Sequence, residues 1–354
     1  MTESFLPSRN DVTTGVCRIL EHLARRGHDT VVICPGPAPE SFAGARVIGV
    51  PSLSYRRFPV GLPSSRVIRT LSSFAPDVVH LASPFVLGAA GLTAAGQLGI
   101  PTVAVFQTDG PGHTRLFRAA ARRWVHGIHE QADLNLAQSP ASFDRLRANA
   151  VPRLRAWVPA VDGTRFDPQR RNTPAVVALR TRLAPDGEVL VGWAGHLVTE
   201  EAGPRLSAVA GLPGVRLVMI GDERTDDERA DAYAALDVFV HIGTEPTTGS
   251  DDTTVSRTIC EVLASGVPVV APTHADDRLD PHGLLAPGLN GLSYRGQDDA
   301  GLGAAVTALV QDADQRRWMG SAARIGIERR TWERHGDELI GHYRSVLSHR
   351  TSAG

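Results

Sequence analysis

The chain contains no lysine; all 37 of its basic residues are arginine. This excludes mechanisms built on a side-chain amine, such as Schiff-base catalysis or the lysine of a phosphate-binding loop. Cysteine is scarce, with Cys17, Cys34 and Cys260 far apart. An odd count at such spacing supports neither a disulfide framework nor a zinc site. The three read as buried thiols of a reducing, cytoplasmic environment. No apolar run approaches the length of a membrane-spanning helix, and the opening Met1-Thr2-Glu3-Ser4 is not a signal peptide. The net charge of −1 argues against a dedicated nucleic-acid binder. What is present is 354 residues, 42% hydrophobic and 21% charged, enough for two globular domains.

Short β-branched runs alternate with longer amphipathic stretches, the pattern of α/β layers on parallel sheets. The first half predicts strands at Thr30 to Cys34, Ala45 to Val50, Val78 to Leu81, Thr102 to Gln107 and Leu134 to Ala137. Helices are predicted at Gly15 to Arg26, Val86 to Leu98 and Leu116 to Gln131. The second half predicts strands at Glu188 to Ala194, Arg216 to Ile220, Val238 to His241 and Val267 to Ala271. Helices follow at Ala230 to Leu236, Val255 to Ser265, Gly301 to Val310, Asp312 to Arg329 and Trp332 to Leu347. The Pro- and Arg-rich stretch Pro159 to Pro185 reads as the crossing between domains. Two irregularities stand out. No strand precedes the loop-like Thr2 to Asn10, where a parallel sheet would have its first member. Only nine positions separate Gly221 from Ala230, too few for the further strand such a domain carries.

Blocks along the whole chain resemble the GT-B glycosyltransferases of family 4, most nearly actinobacterial mannosyltransferases that use GDP-mannose. They are Thr2-Glu3-Ser4-Phe5-Leu6-Pro7, Asn10 with Val12-Thr13, Pro76-Asp77-Val78-Val79-His80, Gln107-Thr108-Asp109 and Asp237-Val238-Phe239-Val240-His241. The run Glu261-Val262-Leu263-Ala264-Ser265-Gly266-Val267-Pro268 is the most specific. The resemblance implies an α/β fold of two Rossmann-like domains facing across a cleft. Residues 1–158, completed by helix 332–354, would form the acceptor side, and residues 159–331 would hold the nucleotide sugar. It further implies retaining transfer from a GDP- or UDP-linked sugar to an acceptor. No metal or other cofactor is implied; the nucleotide sugar serves as co-substrate.

The chain departs from the family pattern at the donor site. The stretch that usually carries an Arg and a Lys for the diphosphate reads Gly195-His196-Leu197-Val198-Thr199-Glu200-Glu201. His196 stands at the Arg position and Glu201 at the Lys position. Of the family's paired Glu residues the second is present as Glu261, the expected ribose contact, while Thr253 occupies the first position. Glu245 in the lengthened loop before it is a candidate for the displaced first Glu. Asp11 stands where the family has a Gly near the phosphate. A charge-assisted hydrogen bond contributes about 1.5–3 kcal/mol, so two lost cations would cost roughly four powers of ten in rate if uncompensated. His196, Arg205 and Arg257 are the candidate compensators. Arg257 sits in the first turn of the predicted helix, where the N-terminus already favours anions.

The expected donor side is therefore Gly195, Glu245, Arg257, Thr258, Ile259, Glu261 and Arg205. Asp109, His113 and His196 are candidates for the chemistry, and Asn10, Asp11, Thr13, His80, Gln107 and Thr108 for the acceptor or phosphate loop. Structural readings stand beside these: Thr13 or Thr14 as a helix N-cap, His80 as a core histidine, and Gly110-Pro111-Gly112 as a turn. Asp251-Asp252 and Asp276-Asp277 have no histidine spacing that would make a metal site. Arg25-Arg26, Arg56-Arg57 and Arg122-Arg123 read as solvated faces or as a patch for anionic lipid. Three readings remain open. One is a transferase of specialised metabolism, such as antibiotic biosynthesis, acting on a small molecule through an O, S or N nucleophile. Another is a degenerate transferase that binds nucleotide or partners an active paralogue. The third is a mannolipid-forming enzyme. Oligomerisation also stays open.

Overall fold

The computed structural model describes all residues except 9, 56–57, 107–114, 196–201, 222–223, 243–251, 274–283, 297 and 352–354. The chain forms two compact units. The first is built mainly from Met1–Val158 and Trp332–Gly354, the second mainly from Pro159–Ser250 and Val255–Thr331.

In the first unit α1 (Asp11–Arg25) precedes β1 (Val31–Pro35), β2 (Ser41–Phe42) and β3 (Ala45–Val50). A hairpin of β4 (Ser52–Tyr55) and β5 (Phe58–Gly61) leads to α2 (Ser65–Phe74). Then come β6 (Val79–Leu81), α3 (Val86–Leu98), β7 (Thr102–Phe106), α4 (Arg115–Gln131), β8 (Leu134–Ala137), α5 (Pro140–Ala148) and β9 (Leu154–Ala156). β6 through β9 pair in parallel, and β1 pairs in parallel with β3. Met1 and Thr2 lie between β1 and β6. Thr2 N–H donates to Ile33 O (3.1 Å), Ala82 N–H to Met1 O (2.9 Å), and the terminal amine to His80 O (2.6 Å). The first two residues thus bridge β1 and β6, ahead of the loop-like stretch before which no strand is expected. A Cβ on Gly91 of α3 would lie 2.3 Å from the Met1 sulfur, so a larger residue there would have to displace the Met1 side chain. The last helix, α12 (Trp332–Thr351), packs Leu339 and Ile340 against Ile19, Leu23, Val103 and Leu136 of this same unit.

In the second unit a 3-10 turn (Pro168–Asn172) and α6 (Pro174–Leu183) precede β10 (Val189–Ala194), α7 (Ala202–Ala210), β11 (Val215–Ile220), α8 (Asp226–Ala235) and β12 (Val238–Val240). The unit continues with α9 (Asp252–Ala264), β13 (Val269–Thr273), β14 (Gly291–Arg295), α10 (Asp299–Gln311) and α11 (Ala313–Ile327). The stretch expected to be a bare crossing therefore carries a helix. Thr173 caps it through Val176 N–H and Pro174 opens it, a position where the missing proline N–H costs nothing. Arginine forks then clamp the segment to α8 and the start of β12. Arg170 reaches Asp231 (2.5 Å) and Asp227 (3.1 Å), while Arg171 and Arg180 both reach Asp237.

The five parallel strands run β11-β10-β12-β13-β14. Only residues 221–225 separate β11 from α8, so no strand stands between them and β11 is the sheet edge among the described residues. The chain leaves β10 toward β11 and then returns to β12 on the other side. The topological switch point thus lies at the carboxyl ends of β10 and β12, where doubly wound sheets bind ligands. Beneath it Val191, Val238, Val240, Leu206, Val306 and Leu309 form the core.

Candidate functional site

At the switch point β10 ends at Ala194 and passes into Gly195, whose N–H donates to Ile220 O (3.3 Å). A Cβ on Gly195 would meet the Trp193 ring at 2.3 Å, so glycine lets the strand end pack on its own indole. His196, expected next, lies outside the described residues.

α8 and α9 both start at this edge of the sheet, after β11 and β12 respectively. Thr225 and Glu228 form a reciprocal capping box at the start of α8, and Asp226 and Asp227 favour its positive end. Glu261 of α9 is only 4% exposed. Its Oε1 accepts from Arg257 Nε (2.9 Å) and Arg229 Nη2 (3.3 Å), and its Oε2 accepts from Arg229 Nε (3.4 Å). Arg229 Nη2 also donates to Asp226 Oδ1 (2.7 Å), and Arg165 Nη1 donates to Asp226 Oδ2 (2.8 Å). Burial pushes the Glu261 carboxyl up from its ordinary range, and the two guanidiniums oppose that shift. Thr258 hydrogen-bonds Tyr233, a second tie between α9 and α8. Ile259 is 7% exposed and sits in the apolar layer.

Of the expected donor residues, the structure brings together Arg257, Thr258 and Glu261 on α9. It draws Arg205 elsewhere. That side chain is buried, donates to Asp299 (2.6 Å) and Gly296 O (3.1 Å), and lies over the Tyr294 ring. Its charge serves the start of α10, not the Glu261 cluster. Glu245 lies outside the described residues. Arg229 went unnoticed in the sequence because Asp226 to Asp231 reads as a solvated charged face. Only its packing against α9 shows that it is drawn inward.

In the first unit Asn10 is the N-cap of α1. Its Oδ1 accepts Thr13 N–H (2.9 Å) and its Nδ2 donates to Ser4 Oγ (2.6 Å), which pairs with Thr13 Oγ1 (3.0 Å). The helix therefore starts at Asp11 and not at Gly15, and the cap is Asn10 instead of Thr13 or Thr14. The Asn10 and Thr13 side chains are engaged with one another through Ser4. The Asp11 side chain, together with Gln107, Thr108, Asp109 and His113, lies outside the described residues.

His80 belongs to an aromatic cluster. Its Nδ1 pairs with Tyr343 OH (3.0 Å), and its ring meets Trp157 and Tyr343 edge-on. Burial, then the terminal amine and His335, push it down to about 3. These contacts favour its reading as a neutral packing histidine. Glu3 was missed as a candidate although it lies within a quoted block. Its carboxylate accepts Leu87 N–H and Gly61 N–H (3.4 Å), capping α3 where Phe85 supplies no side-chain cap. Desolvation pushes it up to about 7 against those backbone donors.

Among the described residues no group of three His, Cys, Asp or Glu is placed to hold a metal ion, and no helix is long and apolar enough to cross a membrane.

Residues 12–165 match the family model Glycosyltransferase Family 4. A GDP-mannose-dependent alpha-mannosyltransferase of Mycobacterium tuberculosis is 40% identical over 385 residues, covering 99% of this chain and 97% of that protein. A protein of the same description from Mycolicibacterium smegmatis is 39% identical, covering 99% and 98%. The crystal structure of Anabaena HepE in complex with UDP superposes with a TM-score of 0.72 at 16% identity, covering 97% of this chain and 98% of that one.

Proposed function

The chain belongs to glycosyltransferase family 4, and from that membership we propose that it transfers mannose from GDP-mannose, with retention, to a small-molecule acceptor. At the coarser level it is a GT-B transferase that draws on a nucleotide sugar. The observation that carries the proposal is the arginine-flanked Glu261 at the switch point of the second unit. A carboxylate held by guanidiniums can accept ribose hydroxyls while the cations face the diphosphate. In this reading Glu261 holds ribose. Gly195 and Arg257 lie along the phosphates, with His196 and Glu245 as further donor-side candidates. Asp109 and His113 act on the acceptor, with Asn10, Gln107 and Thr108 near it. GDP-mannose carries its sugar in α linkage and the relatives are named alpha-mannosyltransferases, which supports retention. Transfer needs an oriented acceptor and a stabilised leaving diphosphate; no metal or other cofactor is invoked. The altered Gly195 to Glu201 stretch supports an acceptor from specialised metabolism, with an oxygen, sulfur or nitrogen nucleophile.

A second reading, mannolipid formation, is favoured by one observation in the first unit. α3 and α4 flank a cavity of about 650 Å³ whose lining includes Ala89, Leu92, Trp124 and Ile128, with Arg123 at its wall. Trp124 is 51% exposed there. An apolar groove with a basic wall suits an acyl tail with an anionic head.

The test is radiolabelled GDP-mannose with two acceptor sets, polar small molecules and diacylglycerol-based lipids. Label moving to a polar acceptor, absent with GDP-glucose and UDP-mannose, is the expected result. Label moving only to lipid establishes the second reading. Failure of calorimetry to detect any nucleotide-sugar binding would overturn both.

A further inference from the structure

We propose that Arg229 is a positioning residue for the donor: it holds the Glu261 carboxylate charged and in place at the switch point. This rests on the ribose role assigned to Glu261 above and names what makes that role workable in a chain without lysine.

Three observations carry it. First, Arg257 and Glu261 lie four residues apart on the same helix, so their bond cannot fix α9 against anything else. Arg229 comes from α8 and ties it to Glu261 of α9 (3.3 Å), a closer ion pair than the one Arg257 of α9 makes back to Asp226 of α8 (3.7 Å). Second, the Arg229 fork is occupied on every side. Nε and Nη2 address the two Glu261 oxygens, Nη2 also meets Asp226, and Nη1 donates to Arg224 O (3.4 Å). A guanidinium so committed orients a neighbour and does not reach out to a ligand. Third, Glu261 Oε2 takes one long bond, from Arg229 Nε (3.4 Å), and so keeps acceptor capacity for a hydroxyl.

A carboxylate this deeply buried leans toward its neutral form unless cations oppose the desolvation. Among the described residues the charged and titratable groups around it are Arg257 from α9, and Arg229, Asp226 and Tyr233 from α8. Arg165 joins the cluster through Asp226. Tyr233 stays neutral, since burial raises its pKa. Removing Arg229 therefore leaves one guanidinium to oppose the desolvation of Glu261 and moves its carboxyl further above the ordinary range.

The experiment is calorimetric titration of GDP-mannose into the full chain between pH 6 and 8.5. Its diphosphate is esterified at both ends and keeps its charge over that range. Arg229→Met is expected to bind about tenfold more weakly at pH 8 and to lose about another tenfold by pH 6, relative to the unaltered protein. Arg229→Lys, which returns a cation, is expected to recover most of the affinity and to remove the extra pH dependence. In an Glu261→Gln background, Arg229→Met should add no pH dependence, because the titrating group is gone. A ratio of Arg229→Met to unaltered affinity that stays constant with pH would overturn the proposal, whatever its size. If Arg229→Met fails to fold, Arg229→Gln, which keeps an amide donor without the charge, takes its place: an extra loss toward pH 6 is expected, and a constant ratio sinks the idea. Absence of GDP-mannose binding by the unaltered protein would strike the donor reading itself, which is a separate failure.

Discussion

The edge of the second unit's sheet and the region under the last helix of the first unit both bury ionisable groups, in opposite ways. Around Glu261 and Asp237 arginine forks meet the carboxylates. Under α12, His80 and His335 are pushed toward their neutral form. His335 stacks on Trp157 with ring centroids 3.9 Å apart, and His80 bonds Tyr343. Burial holds both rings at about 3. Low dielectric penalises unpaired charge, and a fold answers by supplying a partner or by dropping the charge.

The largest effect expected from breaking this contrast is at Asp237, which is 10% exposed. It accepts from Arg171, from Arg180 (3.2 Å) and from Leu190 N–H (2.9 Å). Asp237→Ala takes the carboxylate from both guanidiniums, leaving them only the backbone carbonyls of Ala234, Ala235 and Leu236, and leaves a strand N–H without its acceptor. A loss of about 3 kcal/mol in urea unfolding is expected. A loss below about 0.5 kcal/mol would mean that these forks behave as surface pairs.

How much of this was legible depends on where the deciding partner sits. Strands such as Ala45–Val50 and Leu134–Ala137, and helix Val86–Leu98, were readable because their apolar runs are local. α6 was missed because the Thr173-Pro174 start was weighed as a proline-rich linker and not as a cap followed by an N1 proline. The β4–β5 hairpin hid behind the Arg56-Arg57 pair. His80 was undecidable from its own surroundings, since Tyr343 stands 263 positions away. Arg229 failed for the same reason, 32 positions from Glu261 in a run that looks solvated. Glu261 was singled out through its family block, but the guanidiniums around it were not legible there.

The next effect sharpens the neutral half of the contrast. His335 is 5% exposed and held at about 3, well below an unfolded histidine near 6.5. Below pH 6.5 the unfolded chain binds the proton that the folded chain refuses, so stability falls as pH drops. Between pH 7 and 5 this histidine alone contributes a decline of about 2 kcal/mol. His335→Phe keeps a ring against Trp157 and should unfold with a correspondingly shallower acid slope, measured as Tm or urea midpoint against pH. An unchanged slope would mean that His335 is charged when folded.

The smallest effect has the opposite sign and sits in the same unit. Glu3 is held at about 7, above its ordinary carboxyl range, because desolvation outweighs the Leu87, Gly61 and Gly88 N–H donors. Here the folded chain keeps a proton that the unfolded chain has released. Stability is therefore fully present below about pH 4.5 and declines as pH rises toward 7. Partial solvent access limits the decline to about 1 kcal/mol. Glu3→Gln can still accept the Leu87 N–H through its amide oxygen, so α3 keeps its cap while the titration disappears. The variant should gain on the unaltered protein as pH climbs from 5 to 8, read by paired thermal melts. His335→Phe should gain in the other direction, as pH falls. If both variants shifted the same way, the first unit would not be discharging its buried groups one by one. A pH-dependent change of the whole unit would then be the better account of its stability.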